Sequence, residues 1–455
     1  MKDLSQGPIS GHLARLGGAM MVGMVFQTLY YLIDLWFVSR VGPIAVAAVS
    51  LAGSLAFFTM AIMQALTVGT TALIGQAWGA KEHARARHVF NQSQVLAMSA
   101  GVAFIVLMFA ARRPFANGLA ADAATADALV AYLDWFVPAL GVQFLVVAIG
   151  AALRGAGEVR VPTFVQLVTI VVNIVLCPVL IAGWGTGKAF GVAGAGMATF
   201  FAMVIGVAIL LAWIRRGHSV LQLDPREWAP DWPLWRRMLG IGLPSGVEFL
   251  LLTLYMTIIY WLIRPAGAEA QAGLGIAMRI MQMGMIPTLA IAFALTPIAA
   301  QSFGARNASR VREAFRTACT WVLVPTTIAA LACYAWPEPP IGWFTDDRAV
   351  VVAGAGALAI LGFNFIGNGL IFVAANTFQA LGNTVPSMLA SASRLVLFAV
   401  PAIWASRQPW FALRHVWLLS VGSIFVQLML QMALLMRELR RKLGPIEATA
   451  VPEAA

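Results

Sequence analysis

Asp34 is the one acid in a run of otherwise uncharged residues from Leu16 to Ser39. An ionised carboxylate near the middle of a membrane helix costs about 2.5 to 3.5 kcal/mol on insertion scales, so an acid kept there asks for a reason. Taking up and releasing a proton is the chemistry such a group performs best. Gln27 and Tyr30 stand seven and four residues before it, on the same helical stripe. A second stripe reads Gln166, Thr169, Asn173 and Cys177, and a third reads Gln64, Thr67 and Thr71, all at spacings of three and four. Together they predict a hydrated pocket with Asp34 as its only formal charge. The plainer role of such amides and hydroxyls is to tie helices together.

The elements that position these residues are membrane helices. The chain is 60% hydrophobic and 11% charged with a mean hydropathy of +0.83, far from the composition of a soluble domain. Apolar stretches are expected at 12–38, 47–73, 93–111, 128–152, 162–182 and 191–214, and again at 237–263, 272–299, 316–335, 349–377, 386–405 and 416–436. They are too long for the alternating strands of an outer-membrane barrel. The first has no small-residue cleavage site after it, so it reads as a helix and not as a removed signal peptide. GQAWGAKEHARARHVF at 75–90 returns as AQSFGARNASRVREAF at 300–315, an offset of 225 that also relates Gly157 to Gly382. The predicted fold is therefore an all-α integral membrane protein of twelve transmembrane helices in two pseudo-symmetric six-helix bundles. The expected lobes are 1–214 and 237–436, joined by a cytoplasmic linker at 215–236 and followed by a cytoplasmic tail at 437–455. Glycines 79, 304, 157 and 382 are expected in tight turns between helices, with positive φ.

Charge sets the topology. With the N-terminus cytoplasmic, 20 Lys and Arg fall on the inner side and eight on the outer, with Arg279 and Arg394 inside helices. The net charge of +11 is spread over every inner loop, which suits anionic lipid and not a nucleic-acid partner. Cys177, Cys319 and Cys333 all lie in expected helices, and the last two are about 21 Å apart along one of them, too far for a disulfide. The five His lie at helix ends or in loops, with no metal-ligand spacing and no nucleophile motif, so neither enzyme chemistry nor a metal or other cofactor is expected.

Four stretches resemble the multidrug and toxic compound extrusion (MATE) exporters: IDLWFVSRVGPIAVAAVSLAGS from Ile33, the repeated GQAWGAKE and AQSFGARN pair, LRGAGEVRVPT at 153–163 with its half-repeat FQALGNTVPS, and NIVLCPVLIAGWG from Asn173 leading into GVAGAGMAT. The resemblance implies two six-helix bundles around a central cleft, alternating access, and export driven by a proton or sodium gradient. It maps Asp34, Gln27, Asn173 and Thr199 onto the family's amino-lobe proton network. Three departures matter. Cys177 stands where the family commonly has a carboxylate or Asn, so Asp34 has no second acid beside it. Ala19 replaces the usual first-helix proline, although Pro244 is kept in the other half. Leu252 and Leu370 stand where sodium-coupled relatives carry acids, leaving Glu248 one turn earlier and Asn364 and Asn368 nearby.

Those absences, with Arg279, resemble the branch typified by the DNA-damage-inducible protein F and point to proton rather than sodium coupling. The coupling residues are expected to be Asp34, Gln27, Tyr30, Asn173, Cys177 and Thr199. Substrate is expected at Gln64, Gln143, Glu248, Arg279, Asn364 and Asn368, with Glu248 and Arg279 paired. The Met-rich helix around Met278 to Met285 suits bulky, partly apolar cations. The function read from the sequence is a proton-coupled multidrug exporter, monomeric, in the bacterial inner membrane with both termini cytoplasmic. Its partners are small molecules and membrane lipids. The alternative is a flippase for a lipid or lipid-linked oligosaccharide, for which Arg279 and Arg394 are the only cationic residues available within helices.

Overall fold

The computed structural model describes residues 3–185, 187–216 and 221–450, without the side chains of 30–32, 34, 35 and 448–450. Among the described residues fourteen α-helices follow one another: α1 (Ile9–Ser39), α2 (Pro43–Gly79), α3 (His83–Leu119), α4 (Ala123–Gly155), α5 (Arg160–Ala182), α6 (Val192–Arg215), α7 (Trp232–Ile263), α8 (Ala268–Gly304), α9 (Ala308–Ala335), the short α10 (Glu338–Gly342), α11 (Arg348–Leu361), α12 (Asn364–Leu381), α13 (Val385–Ala405) and α14 (Leu413–Ala450). No strand occurs among the described residues. Among the described residues eleven helices are long and apolar enough to cross a membrane, and α11 with α12 makes a twelfth span if the pair is counted as one. The chain is thus an all-helical, multi-pass membrane protein. The single helix expected over 349–377 is instead two helices bent by 48° at a short break. There the Phe363 amide reaches back only to the Ile360 carbonyl, at 3.2 Å, and the helical ladder restarts at Asn364. The sequence at the break reads Gly362-Phe363-Asn364-Phe365-Ile366-Gly367-Asn368-Gly369, so glycines and asparagines lower the hydropathy there, a dip that the expected single span passed over.

Two compact units divide the helices. One comprises Met1–Asp3 and Val22–Gly246, the other Leu4–Met21 and Val247–Ala455. The expected lobes, 1–214 and 237–436, cut the chain elsewhere. The first part of α7, with the linker before it, belongs to the first unit, and the first part of α1 belongs to the second. In the first unit α4 packs against α2, α3 and α6, and α5 lies on α6, around a core that includes Phe90, Phe144 and Leu153. In the second, α8 packs against α9, α11 and α12, and α14 against α13 and α12, around Phe365, Phe398 and Leu358.

The repeated motifs are helix ends of one design. Glu82 N donates to Ala77 O at 2.9 Å, Glu158 to Leu153 at 2.8 Å, Asn307 to Ser302 at 3.0 Å and Asn383 to Phe378 at 3.1 Å. Each is the six-to-one bond of a Schellman cap, which needs a left-handed residue just after the helix. Gly157 (φ 80) and Gly382 (φ 72) fill that place as expected. In the other two turns the left-handed residue is Lys81 (φ 60) or Arg306 (φ 55), while Gly79 and Gly304 close the helices with no positive φ. The expectation for Gly79 and Gly304 is corrected accordingly: the cap geometry places the strained position two residues later.

Candidate functional site

Two helices of the first unit bring the predicted polar residues together. α5 and α6 cross closely because Gly206 has no side chain; a Cβ there would stand 2.7 Å from the Thr169 methyl. Asn173 on α5 then donates from Nδ2 to Thr199 Oγ1 on α6 at 3.3 Å, and Cys177 Sγ donates to Asn173 Oδ1 at 3.3 Å. Thr199 donates in turn to its own helix at Ala195 O, 3.2 Å. All three residues are buried, so a continuous hydrogen-bonded line runs through apolar surroundings. Cys177, where the resemblance implies a carboxylate or Asn, is a thiol donor to the Asn173 amide oxygen.

Gln27 on α1 accepts from Gln166 Nε2 at 3.2 Å. Gly23, one turn before Gln27, permits the approach, since a Cβ there would meet Gln166 Oε1 at 2.9 Å. Gln166 belonged to the sequence stripe without being counted as a coupling residue, and it is the contact that joins the α1 stripe to α5. Tyr30 and Asp34 lie in α1, but their side chains are outside the described residues.

The predicted substrate residues gather less well. Gln64 and Gln143 are half-buried on α2 and α4, with no hydrogen bond between them. Thr71, on the stripe of Gln64, is a tie between helices, donating to Ala151 O on α4 at 3.1 Å. Glu248 and Arg279 form no ion pair among the described residues, and the expected pairing is corrected: Arg279 is exposed on α8, whereas Glu248 is half-buried on α7 beside Ser387 of α13. Ser387 also accepts from Gln431 of α14 at 3.0 Å, and Gln427, one turn away, donates to Ser391 at 3.0 Å. One Glu248 oxygen, Oε1, is buried without a partner. Asn364 donates to Ser420 Oγ at 3.0 Å, which shares a 2.6 Å hydrogen bond with Tyr255 OH. The Arg394 guanidinium lies 4.3 Å from the Tyr255 ring centroid with its Nε buried and unpartnered. Asn368 is half-buried on α12 and takes no part in this cluster.

Sequence reasoning missed a polar cluster on α3. Asn91 and Gln92 are fully buried and hold the segment before α7. Asn91 Nδ2 donates to Gln222 O and Glu227 Oε2 at 3.0 Å each, and Gln92 Nε2 donates to Glu227 O and Ala229 O at 2.6 and 2.7 Å. Gln92 Oε1 accepts from Asp231 N and Trp235 Nε1. His88 reaches Asp231 Oδ2 at 3.0 Å, and that bond, with the Leu234 amide, holds the Asp231 carboxyl below the usual carboxylate range. The signal was the polar run Asn91-Gln92-Ser93-Gln94, which stood at the edge of an expected span and passed for its flank.

Comparison with known proteins adds the following. The MatE family model matches residues 19–179 and 244–404, each limit of the second match standing 225 residues after the first. The "Probable multidrug resistance protein YoeA" of Bacillus subtilis is 24% identical over 413 residues, covering 90% of this chain and 87% of that protein. A "FAD transporter" of Shewanella oneidensis is 22% identical over 405 residues, covering 88% of this chain and 89% of that one. Among solved structures, an outward-facing multidrug resistance MATE family transporter of the MOP superfamily superposes with a TM-score of 0.88 over 97% of this chain and 98% of its own, at 24% identity.

Proposed function

Because the chain belongs to the MatE family, a family of transport proteins and not of enzymes, we propose that it exports bulky organic cations or related amphiphiles in exchange for protons, by alternating access. The observation that carries the reading is the buried line from Cys177 through Asn173 to Thr199. It is a set of neutral donors and acceptors threaded through apolar helices, suited to accept or give a hydrogen bond to a carboxyl that changes protonation. Asp34 is that carboxyl. It stands on α1 two turns beyond Gln27, the residue that Gln166 ties to α5. With a thiol at 177 and no second acid there, a single proton is the coupling ion, and like-charge repulsion is no part of its tuning. Protonation neutralises Asp34, changes how α1 packs, and favours the state that releases the cation. The protein works as a monomer without a cofactor, in a bacterial inner membrane, with both termini cytoplasmic.

A second reading has its own observation. Arg394, unpartnered at Nε and stacked on Tyr255 beside Asn364 and Ser420, suits an anionic or flat aromatic substrate, which a lipid-linked saccharide or a flavin nucleotide would supply. Transport into everted vesicles decides between the two. Ethidium should accumulate under a proton gradient and not under a sodium gradient alone, while FAD and a lipid-linked saccharide stay outside. Uptake of either anion without the cation would establish the second reading.

A further inference from the structure

The first unit has a cavity of about 610 Å³ between α3, α4, α6 and the segment at 222–228, with none of Asn173, Cys177 and Thr199 in its lining. Its volume suits a molecule of drug size. Ile149 and Leu211 give it apolar walls, Gln94 lines it as a buried polar side chain, and the exposed Met98, Arg215 and Trp228 mark its rim. The rim is built, not incidental. Asn91 and Gln92 clamp the segment that forms one side, and Trp228 Nε1 is itself within 3.4 Å of Asn91 Oδ1.

Gln94 shows what an occupant must bring. It is 6% exposed, and its Nε2 donates to Ser93 Oγ at 2.9 Å. Ser93 gives its own single proton to Phe90 O at 2.7 Å, so it can only accept from Gln94, which fixes which end of the amide is nitrogen. Gln94 Oε1 is left buried with no partner. An occupant therefore needs an O–H or N–H for Gln94. Arg215, exposed at the end of α6 and in no ion pair among the described residues, calls for an anionic group. The apolar wall calls for an aliphatic chain. Trp228 stands at the rim as tryptophans do where hydrocarbon meets headgroups. We infer that this cavity binds one anionic phospholipid with a hydroxylated headgroup, phosphatidylglycerol, its hydroxyl toward Gln94, its phosphate toward Arg215 and one of its two acyl chains along the apolar wall, the other lying outside the cavity.

Native mass spectrometry of the full-length protein, titrated with phosphatidylglycerol or with phosphatidylcholine of the same chains, tests this. One phosphatidylglycerol should be retained in preference to phosphatidylcholine. Arg215→Gln should weaken that retention about five- to tenfold, the effect of one basic residue at a lipid headgroup. Gln94→Leu should weaken it too, while raising the unfolding temperature in phosphatidylcholine, because it removes a buried acceptor that has no partner. Equal retention of the two lipids, or unchanged retention in both variants, overturns the assignment. So does competition by glycerol 3-phosphate alone, which would mark a soluble phosphate site, or displacement by ethidium, which would mark a transport site. None of these readings depends on whether Asp34 couples export to protons.

Discussion

At the scale of single residues, the sequence was most informative where a polar group interrupts an apolar helix. Asn173, Cys177 and Thr199 were legible from spacing and resemblance, and they meet in one hydrogen-bonded line. That Glu248 and Arg279 do not pair was not legible, because both were placed only as residues inside helices, and a helix carries side chains on every face. Their actual surroundings, Ser387 for one and an exposed face of α8 for the other, depend on helix rotation that spacing alone leaves open. The Schellman caps show the same limit. The motif was read correctly as a turn, but Lys81 and Arg306 hold the left-handed position in two of the four. A residue with a Cβ pays about 1 kcal/mol there. Lys81→Gly should therefore raise the stability of the protein by about 0.5 to 1 kcal/mol, and Gly157→Ala at the equivalent site of the next turn should lower it by a similar amount. Thermal unfolding of both variants in one detergent checks the two signs together.

At the scale of elements, long apolar stretches fixed the helices well and their interruptions poorly. The 48° bend between α11 and α12 falls at Gly362 to Asn364, just ahead of Gly367 and Asn368, inside a stretch that was read as one span. Close crossings were likewise hidden, because a glycine in a helix looks the same in sequence whether or not another backbone lies against it. Gly242 on α7 faces the Ala65 carbonyl of α2 so tightly that a Cβ would stand 1.7 Å from the oxygen. Its half-repeat counterpart Gly17 meets Ala290 O, with a Cβ distance of 3.6 Å, while Gly18 beside it has nothing within 4 Å. Gly242→Ala should cost about 3 kcal/mol, the upper end of what overpacking does. Gly18→Ala should be neutral or stabilising by about 0.5 to 1 kcal/mol, since alanine is the better helix former. Equal unfolding temperatures for the two variants would contradict the α2–α7 crossing.

At the scale of the whole molecule, the 225-residue repeat was legible because its motifs are local, and it reappears in the paired crossings Gly17 with Ala290 and Gly242 with Ala65. The repeat says which residues are equivalent. It does not say with which unit they pack, so the assignment of Leu4–Met21 to the second unit and of the first part of α7 to the first came only with the structure. The central claim is the proposal that the carboxyl of Asp34, on α1, couples export to protons. The most direct measurement is dye uptake by everted vesicles containing wild type or Asp34→Asn, as a function of an imposed proton gradient and of pH. The account predicts that Asp34→Asn inserts and folds like wild type and loses gradient-driven uptake, with no remaining pH dependence. Uptake by Asp34→Asn at the wild-type rate, with the wild-type pH profile, would contradict it and move the coupling to Glu248.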